Sequence, residues 1–168
     1  GVNNNIYAQI ITTLKGMRIR VALDADGKLL HNGYKANPFL IKPNIHEFQR
    51  LTGIKSSEID DLPEKARHIT EGGIEIVLIS MGPKGLLGVT RDEALWAIPP
   101  QVEVVSPVGA GDSTVAGFVY ALTKGMDFRE SLILAAATGT AAVKTPGTEL
   151  CKAKDVAKIK EEITIKKL

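Results

Sequence analysis

The stretch Gly109-Ala110-Gly111-Asp112 places three small residues and a carboxylate at the entry to a helical pattern. Gly109 and Gly111 carry no Cβ, so the backbone can turn tightly there and approach a ligand closely. The first amides of a helix have no partner within it, and they carry its positive dipole end. Phosphate binds at such ends. Asp112 falls in the first turn, where a carboxylate can meet a hydroxyl held beside that phosphate. A phosphate cradle with a carboxylate is the outline of a phosphoryl-transfer site. A plainer reading stands beside it: Gly-Ala-Gly before a helix is common, and the dipole alone favours Asp in a first turn.

Other stretches place polar groups at the ends of strand-like runs. Lys42-Pro43-Asn44-Ile45-His46-Glu47 follows the apolar run that begins at Pro38. Asn44 with Glu47 three residues on is the pattern of a helix N-cap and its capping partner. The same pair could hold water around Mg²⁺, which keeps several waters when bound, while Lys42 faces phosphate. His46 reads as a helix-surface residue. Ser80-Met81-Gly82-Pro83-Lys84-Gly85 follows the nearly continuous apolar run from Ile74 and fits a hairpin turn with Pro at its second position. Lys84 reads as an exposed turn lysine within reach of phosphate. Asp24 and Asp26, in Asp-Ala-Asp-Gly, read as turn residues.

The run Ser-Pro-Val-Gly-Ala-Gly-Asp-Ser-Thr-Val-Ala-Gly (106–117) resembles the carboxy-terminal signature of the ribokinase-like, or PfkB, carbohydrate kinases. Within that family it is most similar to the phosphosugar branch, the 1-phosphofructokinases and tagatose-6-phosphate kinases. The resemblance implies an α/β layered fold, with a mainly parallel sheet flanked by helices. It also implies transfer of phosphate from ATP, with Mg²⁺, to a hydroxyl of a phosphorylated ketohexose: fructose 1-phosphate, tagatose 6-phosphate or fructose 6-phosphate. Asp112 would be the general base, and the amides of Gly109, Ala110 and Gly111 would stabilise the transferring phosphoryl group. Lys42, Asn44 and Glu47 would serve the nucleotide, as would Ser80, Met81, Gly82, Pro83, Lys84 and Gly85, together with Gly111 and Asp112. Asn44 and Glu47 would act on Mg²⁺ through water, with no direct protein ligand. Asp24 lies where the family has an Asp near the cleft. Ala136 stands where many sugar-kinase relatives carry an Asn against the nucleotide.

The same resemblance covers essentially all 168 residues but only the family's second half. Gly1-Val2 corresponds to a point near the middle of the family's chain. The sequence is therefore expected to be a carboxy-terminal portion, inactive alone, whose missing half supplies a lid and a homodimer contact. Two alternatives remain: a ribokinase, adenosine kinase or fructokinase type, and a nucleotide-binding module without catalysis. A dinucleotide-binding module is weaker, because no Gly-x-Gly-x-x-Gly follows the first strand.

Composition agrees with a globular protein of one domain, at 44% apolar and 24% charged residues. A net charge of +2 is too small to suggest a nucleic-acid or membrane surface. The single Cys151 excludes an internal disulfide and suits a cytoplasmic protein.

The positioning elements follow from periodicity. Helices are expected over Ile6, Ile10, Ile11 and Leu14 with Gly16 as cap, over Lys28 to Tyr34, after Asn44, and after an Asp61 cap with Pro63 and Glu64. A further helix would bury Val115, Phe118, Val119 and Leu122. Another would begin at an Asp127–Glu130 capping pair and pack through Ala135 to Ala142, and a last would span Asp155 to Lys160. Strands are expected at Arg18–Leu23, Pro38–Lys42, Ile74–Ser80, Leu86–Thr90, Glu93–Ile98, Val102–Val105 and Ile163–Ile165, with Trp96 in core or edge packing. Alternating strands and helices argue for an α/β layer. The three loops at Lys42–Glu47, Ser80–Gly85 and Gly109–Asp112 would then converge beyond the strands' carboxyl ends.

Overall fold

A computed structural model of the protein describes residues 3–55 and 58–168, so the Gly1-Val2 pair lies outside the described residues. The chain divides into two compact units. One comprises Gly1–Ser80, Gly88–Ala94 and Leu168; the other comprises Met81–Leu87 and Leu95–Lys167.

The first unit alternates helix and strand: α1 (Ile6–Gly16), β1 (Ala22–Leu23), α2 (Gly27–Tyr34), β2 (Leu40–Ile41), α3 (Ile45–Thr52), α4 (Leu62–Glu71) and β3 (Ile76–Ser80). β1 pairs parallel with β2, Ala22 opposite Leu40 and Leu23 opposite Ile41; β2 pairs parallel with β3, Leu40 opposite Ile76 and Ile41 opposite Val77. Parallel strands need a crossover, and the intervening helices supply it. Leu40, Ile41, Val77, Leu78 and Ile79 are completely buried, so these strands read as apolar runs without alternation.

The expected strands at Arg18–Leu23 and Pro38–Lys42 shorten to the two residues each of β1 and β2. Arg18 takes φ 60° and its N–H, like that of Ile19, still wraps onto the end of α1, at Lys15 and Leu14. The helix exit therefore consumes the start of the β-rich run. Gly16 is the last helical residue and not the cap. The Asp61 cap also fails: a 3₁₀ turn, Ile59–Asp61, runs straight into α4, so Asp61 is already helical and makes no capping bond. An N-cap side chain reaches its amides only from an extended backbone.

The second unit holds α5 (Ala110–Thr123), α6 (Phe128–Ala142), α7 (Ala153–Glu162) and β6 (Thr164–Lys167). β4 (Leu86–Val89) and β5 (Ala94–Ile98) contribute residues to both units. β5 and β6 are antiparallel, with Trp96 opposite Lys166. Asp127 and Glu130 form the expected capping box of α6. Ile163 packs with Cys151 and Val156 on Ala137, Ala141 and Ile159, so the last strand starts one residue later than expected.

Val102–Val105 is not a strand. Val104 and Val105 are more than half exposed, and Val105 N–H donates to the Val143 carbonyl in place of a ladder. β-branched residues favour a strand only where neighbours cover them.

The buried stripe of α5 is Thr114, Gly117, Phe118 and Ala121, rotated from the expected Val115, Phe118, Val119 and Leu122. Contact between α5 and α6 decides this. A Cβ on Gly117 would lie 2.2 Å from Thr138 Oγ1, and one on Gly139 2.2 Å from Thr114 Oγ1. The helices meet through their smallest residues, which leaves Val119 exposed.

Candidate functional site

In the first unit the register of β1 and β2 brings Asp24 and Lys42 side by side just past their carboxyl ends. Lys42 N–H donates to the Leu23 carbonyl, and Lys42 Nζ lies 3.1 Å from Asp24 Oδ2. Lys42 is 4% exposed and the Asp24 side chain 31%. A buried ammonium requires such a partner, so Asp24 does more than make a turn.

Two residues on, Asn44 starts α3 with both halves of a capping box. Asn44 Oδ1 accepts from the amides of His46 and Glu47, and Glu47 Oε2 accepts from Asn44 N–H at 2.8 Å. Asn44 Nδ2 donates to Glu47 Oε1 at 2.6 Å. Ser80 joins this group: its N–H donates to the Pro43 carbonyl, and it bridges to Asn44. His46 is exposed. Asp26 accepts from Gly27 N–H and pairs with Arg50. The hydrogen bond from Arg50, then that from Gly27, holds its carboxyl below the usual carboxylate range.

In the second unit the turn from Met81 to Gly85 is a 3₁₀ turn and not a simple hairpin loop. Met81 N–H donates to Gly85, Lys84 N–H to Met81 and Gly85 N–H to Gly82. Gly85 has φ 100°, and a Cβ there would stand 2.1 Å from the Ala97 carbonyl oxygen, so only glycine fits. Trp96 Nε1 donates to the Lys84 carbonyl at 2.7 Å. Sequence reasoning assigned Trp96 to packing alone. The available signal was chemical: a partly buried indole N–H needs an acceptor.

The entry to α5 is built differently. Gly109 takes φ 78° as N-cap, with no side-chain cap, whereas Gly111 is an ordinary second helical residue. Ser113 N–H closes on the Gly109 carbonyl at 2.9 Å, and Ala110 N–H reaches Pro107 at 3.4 Å. The N–H groups of Gly109, Gly111 and Asp112 have no hydrogen-bond partner among the described residues. Asp112 is exposed, and its carboxylate is unpaired. Ser106 holds the preceding segment: its hydroxyl donates to the Gly147 carbonyl and accepts from Val108 N–H. Within the helix pair, the Thr138 hydroxyl lies 2.9 Å from the Ser113 carbonyl, one residue beyond Asp112. The rear of this turn is thus packed on α6, while its amides face outward.

The structure thus groups Lys42, Asn44, Glu47 and Ser80 in the first unit. In the second it gives two separate turns, Met81–Gly85 and Gly109–Asp112. No cluster of three or more His, Cys, Asp or Glu able to hold a metal occurs among the described residues. A cavity of about 270 Å³ is lined by Tyr34, Leu51, Thr52, Lys65, His68 and Ile69, none of them a candidate residue. No helix among the described residues is long and apolar enough to cross a membrane.

Residues 1–155 match the pfkB family of carbohydrate kinases. A 1-phosphofructokinase of Haemophilus influenzae is 39% identical over 144 residues, covering 85% of this chain and 46% of that protein. A 1-phosphofructokinase of Rhodobacter capsulatus is 34% identical over 168 residues, 100% of this chain and 53% of that one. The crystal structure of phosphofructokinase-2 from Escherichia coli in complex with potassium superposes with TM-score 0.90 at 32% identity, over 96% of this chain and 53% of that chain. The chain spans about half the length of the curated relatives it matches.

Proposed function

The chain belongs to the pfkB family of carbohydrate kinases, and from that membership we propose that it is the catalytic portion of a phosphosugar kinase. The reaction is transfer of the γ-phosphoryl group of ATP to a hydroxyl of a phosphorylated ketohexose. Fructose 1-phosphate is the first choice, on the names of the relatives, ahead of tagatose 6-phosphate and fructose 6-phosphate. The observation that carries this reading is the entry to α5, where three unpaired amides and an unpaired, exposed carboxylate share one turn.

Asp112 takes the proton of the acceptor hydroxyl. That oxygen forms the new bond to the γ-phosphorus as the bond to the bridging oxygen breaks and ADP leaves. The N–H groups of Gly109, Gly111 and Asp112 hold the charge of the transferring group; a preorganised donor in such a place is worth about 2.7–4 kcal/mol. Ala110 contributes less than its neighbours, because its N–H is turned to Pro107.

Asn44 and Glu47 suit a hydrated Mg²⁺. Each Glu47 oxygen accepts one hydrogen bond from Asn44 and keeps a free lone pair for water. When bound, Mg²⁺ neutralises charge on the phosphates. Met81 to Gly85 lies along the nucleotide. Lys42, held by Asp24, contributes its positive charge toward the nucleotide phosphates.

The test is ADP release by the complete gene product with Mg²⁺-ATP and a panel of fructose 1-phosphate, fructose 6-phosphate, tagatose 6-phosphate, ribose and adenosine. Asp112→Asn should lower turnover at least a thousandfold and leave ATP affinity within about twofold. Undiminished turnover in that variant would sink the base assignment. Best turnover on ribose or adenosine would overturn the phosphosugar assignment.

A further inference from the structure

We propose that Trp96 is a positioning residue for ATP, acting through the turn from Met81 to Gly85. This rests on the reading above in one respect, that the turn lies along the nucleotide.

The turn is poorly restrained by its own backbone. Gly82 and Gly85 both take positive φ, at 56° and 100°, a region in which glycine is under no steric restraint. Its internal bonds are the three local ones among Met81, Gly82, Lys84 and Gly85. The Trp96 indole N–H is the described hydrogen bond that reaches this turn from outside it, at 2.7 Å from the Lys84 carbonyl. The indole is itself held on β5, with the Lys166 ammonium 5.3 Å from the ring centroid and Lys166 opposite it on β6.

The consequence for a ligand lies in the amides. Met81, Lys84 and Gly85 spend theirs inside the turn, and Pro83 has none. Gly82 N–H is left without a partner among the described residues. The Lys84–Gly85 peptide that Trp96 holds by its carbonyl also carries the Gly85 N–H, which donates to the Gly82 carbonyl. The peptide of the unpaired Gly82 N–H is held by its Met81 carbonyl, which accepts from Lys84 N–H. Lys84, exposed and unpaired, projects from the same turn. Trp96 therefore sets one donor and one cation for an anionic ligand without touching it.

Trp96 is the sole tryptophan in the sequence, so its emission reports on this turn alone. In the complete gene product, emission excited at the indole band would be followed during titration with a non-hydrolysable Mg²⁺-ATP analogue, after substituting any tryptophan outside this sequence. Saturable change is expected. Trp96→Phe keeps a ring against Lys166 but removes the donor. It should weaken ATP binding and raise KM for ATP about five- to tenfold, with kcat and the KM for the sugar phosphate within twofold. A merely structural role would lower the melting temperature and leave that KM in place. Trp96→Phe with unchanged ATP affinity would overturn the inference and leave the kinase reading standing. Nucleotide bound and lost in Trp96→Phe, with no acceptor phosphorylated by the parent protein, would support the inference while sinking the kinase reading. No binding of the analogue to the parent would overturn the inference outright.

Discussion

The amino termini of α3 and α5 carry similar sequence signals, a polar or glycine-containing turn followed by an acidic residue, yet they are finished in opposite ways. At α3, Asn44 and Glu47 satisfy one another's backbone, and the side chain of Asn44 takes the amides of His46 and Glu47. At α5, a left-handed Gly109 brings the chain in with no capping side chain, and the amides of Gly111 and Asp112 stay unpaired. Both ends carry the positive end of a helix dipole. The second leaves the N–H groups of Gly109, Gly111 and Asp112 without partners among the described residues. An anion at α3 would have to displace the Asn44 side-chain oxygen from the amides of His46 and Glu47, whereas one at α5 meets open N–H groups. The Glu47 carboxylate is engaged in the cap of α3, whereas the Asp112 carboxylate beside the uncapped end of α5 is unpaired among the described residues.

Between the two helix ends, the largest difference should come from substituting the glycine that begins α5 and the glycine that ends α3. Gly109 at the entry to α5 and Gly53 at the exit of α3 have nearly the same φ, 78° and 74°, and a Cβ on either would meet nothing within 4 Å. Gly109→Ala and Gly53→Ala should each cost about 1 kcal/mol of stability through backbone strain, measured by urea denaturation. Activity should separate them, with a loss of tenfold or more in kcat for Gly109→Ala and none for Gly53→Ala. Equal activities would mean that the α5 entry is no more than a structural turn.

The next effect sharpens what the α3 cap is for. Asn44→Ala removes the cap and should destabilise the protein by about 1 kcal/mol. Glu47→Gln keeps an oxygen for the Asn44 amide and should cost less. If the pair also orders water on the metal, half-saturating Mg²⁺ in the kinase assay should rise severalfold in Glu47→Gln. An unchanged Mg²⁺ dependence would reduce the pair to a cap.

The smallest effect is a third acidic side chain at a helix start, Asp26 before α2. Its carboxyl is held low by Arg50 and by Gly27 N–H. A depressed folded value means that its contribution is present above the unfolded carboxylate pKa, near 4, and is lost as pH falls through the folded value. Carboxyl NMR titration should give a midpoint below the ordinary one, moving upward in Arg50→Gln. Because both side chains of the pair are exposed, the stability change is slight. A midpoint unmoved by Arg50→Gln would show that the Gly27 amide alone sets it.

Much was readable before the fold was known, because it depended on local chemistry. The capping pairs Asn44–Glu47 and Asp127–Glu130 form as their three-residue spacing requires, since the interacting atoms lie within one helical turn. The buried parallel strands announced themselves by unbroken apolar runs such as Ile76 to Ile79. The Gly109-to-Asp112 turn was legible for the same reason: a helix end owes its free amides to backbone geometry alone. The other features answer to neighbours distant in sequence. Val102 to Val105 has strand-forming residues but no covering layer. Asp61 lost its cap to a preceding 3₁₀ turn. Which face of α5 is buried was settled by Thr138 and Gly139 of α6, whose shapes admit only Gly117 and Thr114. Asp24 gained a buried lysine through strand register, and Trp96 gained the Lys84 carbonyl across twelve residues. Periodicity and capping act over one turn of chain, so sequence alone indicated most of the elements and the caps at Asn44 and Asp127. Burial and partnership require two elements to meet, so only the tertiary structure could decide them.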